Sequence, residues 1–291
     1  MPQTSPLPWL VRCAATAAAL LLACGLATAW IGAALQQPAV TTRDGSLITL
    51  NRYVREPVPD VVLVGSSVTW RLKEEYFSRP RVRNLALAGG SPVTGLEIVA
   101  KQPRLPKIIL IETNVLSRAV DGALVERFTG VERAGALFLR PVRTAIAAFE
   151  TLNHAPPDAA KARAEREDLL SQSPSGFDNH VYVERAVGEM NAEEPSARAK
   201  DNATLIKQLI GEIERRGGRA FLIAVPFSPE IEATSSVRAT RTIVQDAFPD
   251  QGAWLAIDAP LSELRWADGV HLDERSALIV ACAIEKALAE R

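Results

Sequence analysis

Five short runs of Val, Ile and Leu stand out along the chain. Each run is mostly apolar and does not alternate regularly with polar positions, although Val82–Leu87 contains Arg83 and Asn84; this pattern is typical of parallel strands that helices cover on both faces. The runs are Asp60–Gly65, Val82–Leu87, Lys107–Glu112, Arg219–Val225 and Trp254–Ile257. We therefore predict five buried strands.

Helical patterns separate these runs. Between Ser196 and Arg216, apolar residues recur at helical spacing, and the pair Gly217-Gly218 predicts the end of that helix. A last helix should begin after Asp273, a good N-cap residue. Strands that alternate with helices predict an α/β fold, a flavodoxin-like, doubly wound parallel sheet of five strands with helices on both faces. Such sheets bind their ligands beyond the carboxyl ends of the strands, where we expect the chemistry.

The alternation lapses between Val115 and about Glu194. Within this stretch, Leu152–Glu167 is rich in Ala, Pro and charged residues. Connections of this length inside a compact domain are usually functional or disordered. We interpret residues 115–194 as a partly helical insertion that covers the site or binds a partner.

The first forty residues have a different pattern, because Ala14–Leu35 contains no charged residue. A hydrocarbon core ~30 Å thick needs about 20 apolar helical residues, so this segment is long enough to span a membrane. We predict a membrane anchor over residues 1–36, a linker over 37–58 and a folded domain over 59–291. Arg12 on the short N-terminal side predicts a single-pass inner-membrane protein whose domain is periplasmic or otherwise extracytoplasmic.

Two processing alternatives compete with a retained anchor. Ala27-Thr28-Ala29 resembles a signal-peptidase cleavage site, and Leu21-Leu22-Ala23-Cys24 is similar to the lipobox of bacterial lipoproteins. Either cut would leave further apolar sequence, such as Trp30–Leu35, at the start of the mature protein. Because an apolar N-terminus of this kind fits neither cleaved form well, the sequence favours a retained anchor.

Composition and charge narrow the function classes. The 291 residues are 47% apolar and 23% charged, which is ordinary for a protein with one main folded domain. A net charge of -1 provides no basic field for a nucleic-acid partner.

Of three cysteines only Cys282 lies in the predicted domain, so neither a disulfide framework nor a zinc site is expected. The loop Gly89–Gly95 lacks the glycine signatures of nucleotide sites, and we expect no cofactor.

Polar residues and glycines follow the first three predicted strands. Ser66 and Ser67 come after the first strand, where a helix should begin and its free NH groups can stabilise an oxyanion. Gly89-Gly90 follows the second strand, where glycine permits close approach of a backbone NH to a substrate oxygen. Asn114 follows the third and offers a neutral amide donor. Each feature alone is equally compatible with a turn or a helix cap.

A fourth motif, Asp268-Gly269-Val270-His271, follows the last predicted strand. An aspartate three residues before a histidine can hold the imidazole in one tautomer while the other ring nitrogen faces a serine. His271 is therefore the candidate general base. The two other histidines, His154 and His180, lie in the predicted insertion and receive no role.

Together these motifs resemble the SGNH hydrolase superfamily, also called GDSL-like, over about Pro59–Arg291. Its four motifs supply serine, glycine, asparagine and an Asp-x-x-His pair in this chain order. The resemblance implies three catalytic residues, which are Ser67 as nucleophile, His271 as base and Asp268 as the residue that orients it. It implies an oxyanion hole made of the Ser67 NH, Gly89 and Asn114, with Gly90 as the alternative to Gly89.

Two positions depart from the family pattern. Ser66 replaces the aspartate of the usual Gly-Asp-Ser, and Glu112 stands where the third motif normally has glycine. The Gly-Ser-Ser form looks more like envelope proteins that move acyl groups onto cell-surface polymers than like secreted lipases. Glu112 is expected to narrow or charge the pocket.

The resemblance implies serine-dependent transfer of an acyl group, by analogy acetyl, onto an exported or cell-envelope polysaccharide through an acyl-enzyme on Ser67. The implied partners are an acylated donor, a polysaccharide acceptor and a membrane acyltransferase. Two alternatives remain open. One is a carbohydrate acetylesterase of the same fold, and the other is a catalytically idle SGNH-like scaffold of a polysaccharide-modifying complex.

Overall fold

A computed structural model of the protein describes residues 7–31, 41–78, 81–130, 146, 149, 159–194 and 196–291. The described residues form a mixed α/β fold around one parallel sheet. Its strands are β1 (Val61–Val64), β2 (Val82–Asn84), β3 (Ile108–Glu112) and β4 (Arg219–Ile223). They are hydrogen-bonded in the order β2-β1-β3-β4, and every neighbouring pair is parallel.

Helices precede the sheet, connect its strands and follow it. Before β2 they are α1 (Leu7–Ile31), α2 (Thr42–Arg55) and the single turn α3 (Ser67–Trp70). Between β2 and β4 they are α4 (Pro92–Ala100), α5 (Gly122–Thr129), α6 (Ala159–Ser171), α7 (His180–Ala192) and α8 (Ser196–Arg215). After β4 they are α9 (Pro229–Glu232), α10 (Ser235–Ala247) and α11 (Glu274–Ala289).

Both faces of the sheet are covered, as the mostly apolar strand runs predict. Val62 and Ile109 point to one face, where they pack in a cluster with α2, α4 and α8. Leu63 and Leu110 point to the other face, where they pack with α11. Successive strand residues alternate between faces, so only a strand buried on both sides needs an unbroken apolar run.

The prediction of five strands is wrong, because the described residues form a sheet of four. The predicted fifth strand, Trp254–Ile257, makes one isolated parallel bridge between Trp254 and Leu222. Its single ladder bond runs from the Leu255 NH to the Leu222 carbonyl over 2.9 Å. The segment has β4 on one side only, and Ala256 is already exposed. Pairing therefore does not propagate, and the assignment as flavodoxin-like stays a prediction.

Part of the predicted linker over residues 37–58 is instead a helix of the domain. Leu47, Leu50 and Tyr53 on α2 are buried in the same cluster as β1 and β3. Their spacing of three residues places them along one face of a short helix. The polar residues Thr49, Asn51 and Arg52 between them make this stripe weak in the sequence. Residues 37–40 of the predicted linker lie outside the described part of the chain.

The N-terminal helix begins earlier than the uncharged segment Ala14–Leu35 indicates. Helix α1 starts at Leu7 and includes Arg12, while residues 32–35 lie outside the described ranges. Its stretch Leu7–Leu26 has a mean hydropathy of 1.8 and none of it is buried in the protein. By length and composition alone, this stretch is sufficient to cross a membrane.

The predicted insertion over 115–194 divides into two kinds of structure. Its start belongs to the core, since Leu116, Leu124 and Phe128 are buried in the cluster that contains α4. Helix α7 has no buried residue. Residues 131–145 and 150–158 of the insertion, which include His154, lie outside the described ranges.

The position of α2 predicts that it is needed for folding of the domain. Leu50 is fully buried, so Leu50→Ala should lower the free energy of unfolding by about 2–5 kcal/mol, through lost burial and the cavity left behind. Urea unfolding followed by circular dichroism measures the change. Arg55→Ala, an exposed position on the same helix, is the control and should change stability by less than about 0.5 kcal/mol. Equal stability of both variants would mean that α2 is a dispensable linker.

Candidate active site

The turn that follows β1 presents Ser67 at the carboxyl edge of the sheet. Ser66 is the N-cap of α3, and its hydroxyl accepts a hydrogen bond from the Val68 NH over 3.2 Å. At the other end of the turn, the Asn84 amide donates to the carbonyls of Thr69 and Leu72, each over 2.8 Å. Ser67 is therefore the first residue of a short helix whose start and end are both held by side chains.

The structure brings three of the predicted site residues into one hydrogen-bonded chain. The His271 Nε2 atom lies 2.9 Å from the Ser67 Oγ, across 204 positions of sequence. The His271 Nδ1 atom lies 2.7 Å from Asp268 Oδ2. With a proton on Nδ1 donated to the carboxylate, Nε2 accepts the hydrogen bond of the serine hydroxyl. This is the geometry that a serine nucleophile and its general base require.

The loop that carries His271 is shaped by its aspartate and its glycine. Asp268 Oδ1 accepts from the backbone NH groups of Val270 and His271, over 3.0 and 2.8 Å. Gly269 has a φ of +84°, and a Cβ at this position would lie 2.8 Å from Ile231 Cγ1. Only glycine suits both the backbone conformation and the contact with α9. The loop thus fixes the imidazole through its backbone as well as through its side chain.

The Asp268 carboxylate stays ionised at physiological pH. Burial by itself would raise its pKa, but hydrogen bonds from the His271 side chain and backbone outweigh that effect and lower the pKa from 3.8 to about 2. An ionised carboxylate 2.7 Å from Nδ1 would stabilise the imidazolium that forms when Nε2 takes a proton. The pair is therefore suited to accept the serine proton during attack.

The two glycines after β2 differ in how their NH groups are used. The Gly90 NH donates to the Leu87 carbonyl over 2.7 Å, whereas the Gly89 NH has no hydrogen-bond partner among the described residues. Gly89 has a φ of +76°, and its carbonyl accepts from the Arg118 guanidinium over 3.0 Å. These contacts favour Gly89 as the donor. Neither glycine is hydrogen-bonded to Ser67, so its role in an oxyanion hole stays a prediction.

Asn114 is held by the backbone beyond β4. Its Nδ2 atom donates to the Val225 carbonyl over 2.7 Å, and its Oδ1 atom accepts from the Val225 NH over 2.9 Å. An amide nitrogen carries two hydrogens, so one remains for a ligand. The structure brings Asn114 to the same strand edge as Ser67 but shows no hydrogen bond between them.

Sequence reasoning missed the position of Glu112. The expectation that it narrows or charges the pocket does not fit its place, because the side chain is fully buried beneath the turn that carries Ser67. The Glu112 carboxylate accepts from the Ser66 NH and the Ser66 hydroxyl, over 2.8 and 2.7 Å, and from the Thr69 NH over 3.1 Å. An acidic residue at the end of an apolar strand was the one available signal.

Exposed aromatic side chains occur on two segments that connect to the hydrogen-bonded chain. Trp70 is 50% exposed, lies three residues after Ser67 on α3 and lines a cleft of about 500 Å³ that Ser67 and His271 do not line. Phe177 and Tyr182 are exposed and stacked with their ring centroids 6.2 Å apart. Asn179, between these two rings in sequence, donates to the Trp266 carbonyl over 2.6 Å and so connects them to the histidine loop.

The pKa of Asp268 predicts how its contribution to stability changes with pH. Because folding lowers this pKa from 3.8 to about 2, the contribution is complete above about pH 4 and is lost as the pH falls towards 2. We expect Asp268→Asn to be less stable than wild type at neutral pH, with a difference that narrows between about pH 4 and pH 2. Urea unfolding across this range measures it, with the exposed Asp246→Asn as control. A difference that stays constant with pH would contradict the assignment.

Comparison with known protein families, curated proteins and solved structures finds no match to this chain. The family resemblance therefore rests on the four motifs, and the hydrogen-bonded arrangement of Ser67, His271 and Asp268 is the independent support for a function.

Proposed function

We propose that this protein is an SGNH-type serine acyltransferase that moves an acyl group, acetyl by analogy, onto an exported or cell-envelope polysaccharide. The observation that carries the proposal is the hydrogen-bonded chain from Ser67 through His271 to Asp268. His271 Nε2 lies 2.9 Å from Ser67 Oγ, and His271 Nδ1 lies 2.7 Å from Asp268 Oδ2. Both distances lie within the range that proton transfer requires.

In the first half-reaction, His271 Nε2 takes the Ser67 proton while the Ser67 Oγ attacks the carbonyl carbon of an acyl ester. The backbone NH of Ser67, the Gly89 NH and the Asn114 amide stabilise the negative oxygen of the tetrahedral intermediate. Asp268 stabilises the imidazolium. The intermediate then collapses, the imidazolium gives its proton to the leaving alcohol, and an ester of Ser67 remains.

In the second half-reaction, a hydroxyl of the acceptor attacks the acyl-enzyme. His271 removes the hydroxyl proton and returns it to Ser67 as the new ester leaves. Water competes at tens of molar, so a transferase must position the acceptor with an effective molarity above that, within the ~10⁵ M and higher that oriented groups reach. The choice between transferase and esterase depends on this positioning.

The aromatic side chains beside the site support a sugar as acceptor. A pyranose ring presents apolar C–H faces that pack on an aromatic ring, while its hydroxyls remain available for polar contacts. Trp70 is placed for this role because residues three apart on a helix have Cβ atoms about 5–6 Å apart, and Ser67 is three residues before it. A ring stacked on Trp70 would hold a hydroxyl near the acyl-enzyme.

The position of α2 supports a site close to the membrane. If α1 is a retained anchor, about ten residues connect its end at Ile31 to α2, and they span at most ~35 Å. Thr42 at the start of α2 lies beside Gly89, with its Cγ2 atom 3.6 Å from where a Cβ of Gly89 would be. We therefore propose a single-pass inner-membrane protein with an extracytoplasmic domain, whose acyl donor comes from a membrane acyltransferase.

The nucleophile can be tested by covalent labelling. A fluorophosphonate should label Ser67, because His271 and Asp268 raise the nucleophilicity of its hydroxyl. Ser67→Ala should abolish the label, as detected by fluorescence and by peptide mass spectrometry. Labelling of a folded Ser67→Ala variant at the wild-type level would remove Ser67 from the site. A wild type that does not label would favour the idle scaffold.

The acceptor can be tested by the fate of the acyl group. A chromogenic acetyl ester should be hydrolysed slowly alone and faster with the correct oligosaccharide, which gains acetyl groups detectable by mass spectrometry. Trp70→Ala should raise the KM for the oligosaccharide about tenfold, since aromatic stacking contributes ~1 kcal/mol or slightly more, and Trp70→Phe should restore it. Hydrolysis without oligosaccharide should not change. Fast hydrolysis that no oligosaccharide accelerates, with acetate released from an acetylated polymer, would show an esterase.

The topology can be tested with reporter fusions. Alkaline phosphatase fused after Arg55 should be active, because the uncharged part of α1 should carry the domain across the membrane. A fusion after Pro6, before α1, is the control and should be inactive. The full chain should remain in membranes after carbonate washing. Recovery of a shortened protein in the soluble fraction would show that the segment is a cleaved signal.

A further inference from the structure

Glu112 places a carboxylate directly beneath the proposed nucleophile. The residue ends β3, next to β1 in the sheet, and its side chain is fully buried. No cation pairs with this carboxylate in the described part of the chain. Burial of a carboxylate without a cation is unfavourable unless several hydrogen bonds compensate.

The donors that compensate all come from the turn that carries Ser67. Oε1 of Glu112 accepts from the Ser66 hydroxyl, and Oε2 accepts from the backbone NH groups of Ser66 and Thr69. These donors flank Ser67 on both sides in sequence. The carboxylate therefore fixes the backbone immediately before and two residues after the nucleophile.

The packing around these contacts leaves no room for a side chain at position 65. A Cβ on Gly65 would lie 2.6 Å from Glu112 Oε2 and 2.5 Å from Thr69 Cβ, both closer than side chains approach. Gly65 is thus needed because the carboxylate occupies the adjacent space. The turn and the end of β3 form one interlocked unit of Gly65, Ser66, Thr69 and Glu112.

Ser66 connects the carboxylate to the helix that follows. Its hydroxyl donates to Glu112 Oε1 and accepts from the Val68 NH, so it acts as both donor and acceptor. An aspartate at position 66, as in the family pattern, would bring a second carboxylate against Glu112 inside the protein. Two buried carboxylates in contact repel and cannot both ionise freely.

We infer that the departures at Ser66 and Glu112 are one coupled substitution, in which β3 supplies the buried acid of the nucleophile turn and Glu112 is a positioning residue for Ser67. This inference rests on the proposed role of Ser67 as nucleophile. Glu112 does not touch the reacting atoms. It acts by holding the Ser67 backbone so that the Oγ stays within reach of His271 and the Ser67 NH stays directed at the oxyanion.

A role in positioning should appear in kcat and not in KM. In the full-length protein, Glu112→Gln keeps the side-chain size but replaces one of the two carboxylate acceptors with an NH2 group and leaves a single, neutral acceptor oxygen. We expect the labelling rate of Ser67 and the kcat for a small acetyl ester to fall about tenfold to a hundredfold, since displacement of a reacting group by ~1 Å has effects of that size. KM should not change. Glu214→Gln, an exposed glutamate on α8, is the matched control and should label at the wild-type rate.

The coupling itself is tested by introducing the residues of the family pattern at the two positions, aspartate at 66 and glycine at 112. Ser66→Asp alone and Glu112→Gly alone should each lower the labelling rate at least about a hundredfold, whereas the double variant should recover at least about tenfold over Ser66→Asp. Strictly additive effects would overturn the coupling. Ser66→Ala, which removes the donor to Glu112 together with the acceptor of the Val68 NH, should lower the rate about tenfold and provides a test if a Glu112 variant does not fold.

Amide hydrogen exchange gives a readout that does not depend on activity. The Ser66 and Thr69 NH groups should exchange faster in Glu112→Gln than in wild type, because their acceptor is weakened. Wild-type labelling by folded Glu112→Gln and Ser66→Ala would overturn the positioning role while leaving the proposed function intact. If the wild type does not label, the proposed function fails. In that case, unchanged amide hydrogen exchange at Ser66 and Thr69 in Glu112→Gln would overturn this inference separately.

Discussion

The parallel pairing of β1 with both β2 and β3 is the constraint on which the site depends. Parallel strands deliver all their carboxyl ends to one edge of a sheet. Ser67, Gly89 and Asn114 each follow a different strand, so residues far apart in sequence arrive at the same edge. The histidine loop arrives there from the opposite end of the chain and completes the chain of hydrogen bonds with Ser67. An antiparallel arrangement would distribute these residues between two edges.

Polar side chains set the fine geometry at that edge, and each is satisfied by backbone groups of a neighbouring turn. Glu112 holds the start of α3 and Asn84 holds its end, while Asn114 holds the backbone beyond β4. Polar groups shielded from water are stable only when their hydrogen bonds are made, so each of these contacts fixes one conformation of a segment at the candidate site. The site is therefore organised by buried and partly buried hydrogen bonds within the protein.

The sequence predicts those features that depend on local pattern and misses those that depend on pairing or burial. The four strands are predictable because runs rich in Val, Ile and Leu are typical of strands covered on both faces, and Ser67 is predictable because it follows β1. Asp268 and His271 do not directly follow a strand in the structure, and they are predictable from their spacing of three residues. The segment at Trp254 has the same composition, but its failure to extend depends on having a neighbour on one side only. Helix α2 is missed because three buried residues among polar residues make a weak stripe. The place of Glu112 cannot be read from sequence, since its partners are more than forty positions away.

The central claim is that Ser67 becomes acylated during turnover. Rapid quenching of the protein with an activated acetyl ester, followed by peptide mass spectrometry, tests this directly. The account predicts one acetyl group on Ser67, formed faster than steady-state turnover and removed when an acceptor is added. Turnover of the ester without any acetyl on Ser67, in a protein whose rate is unchanged by Ser67→Ala, would contradict the account.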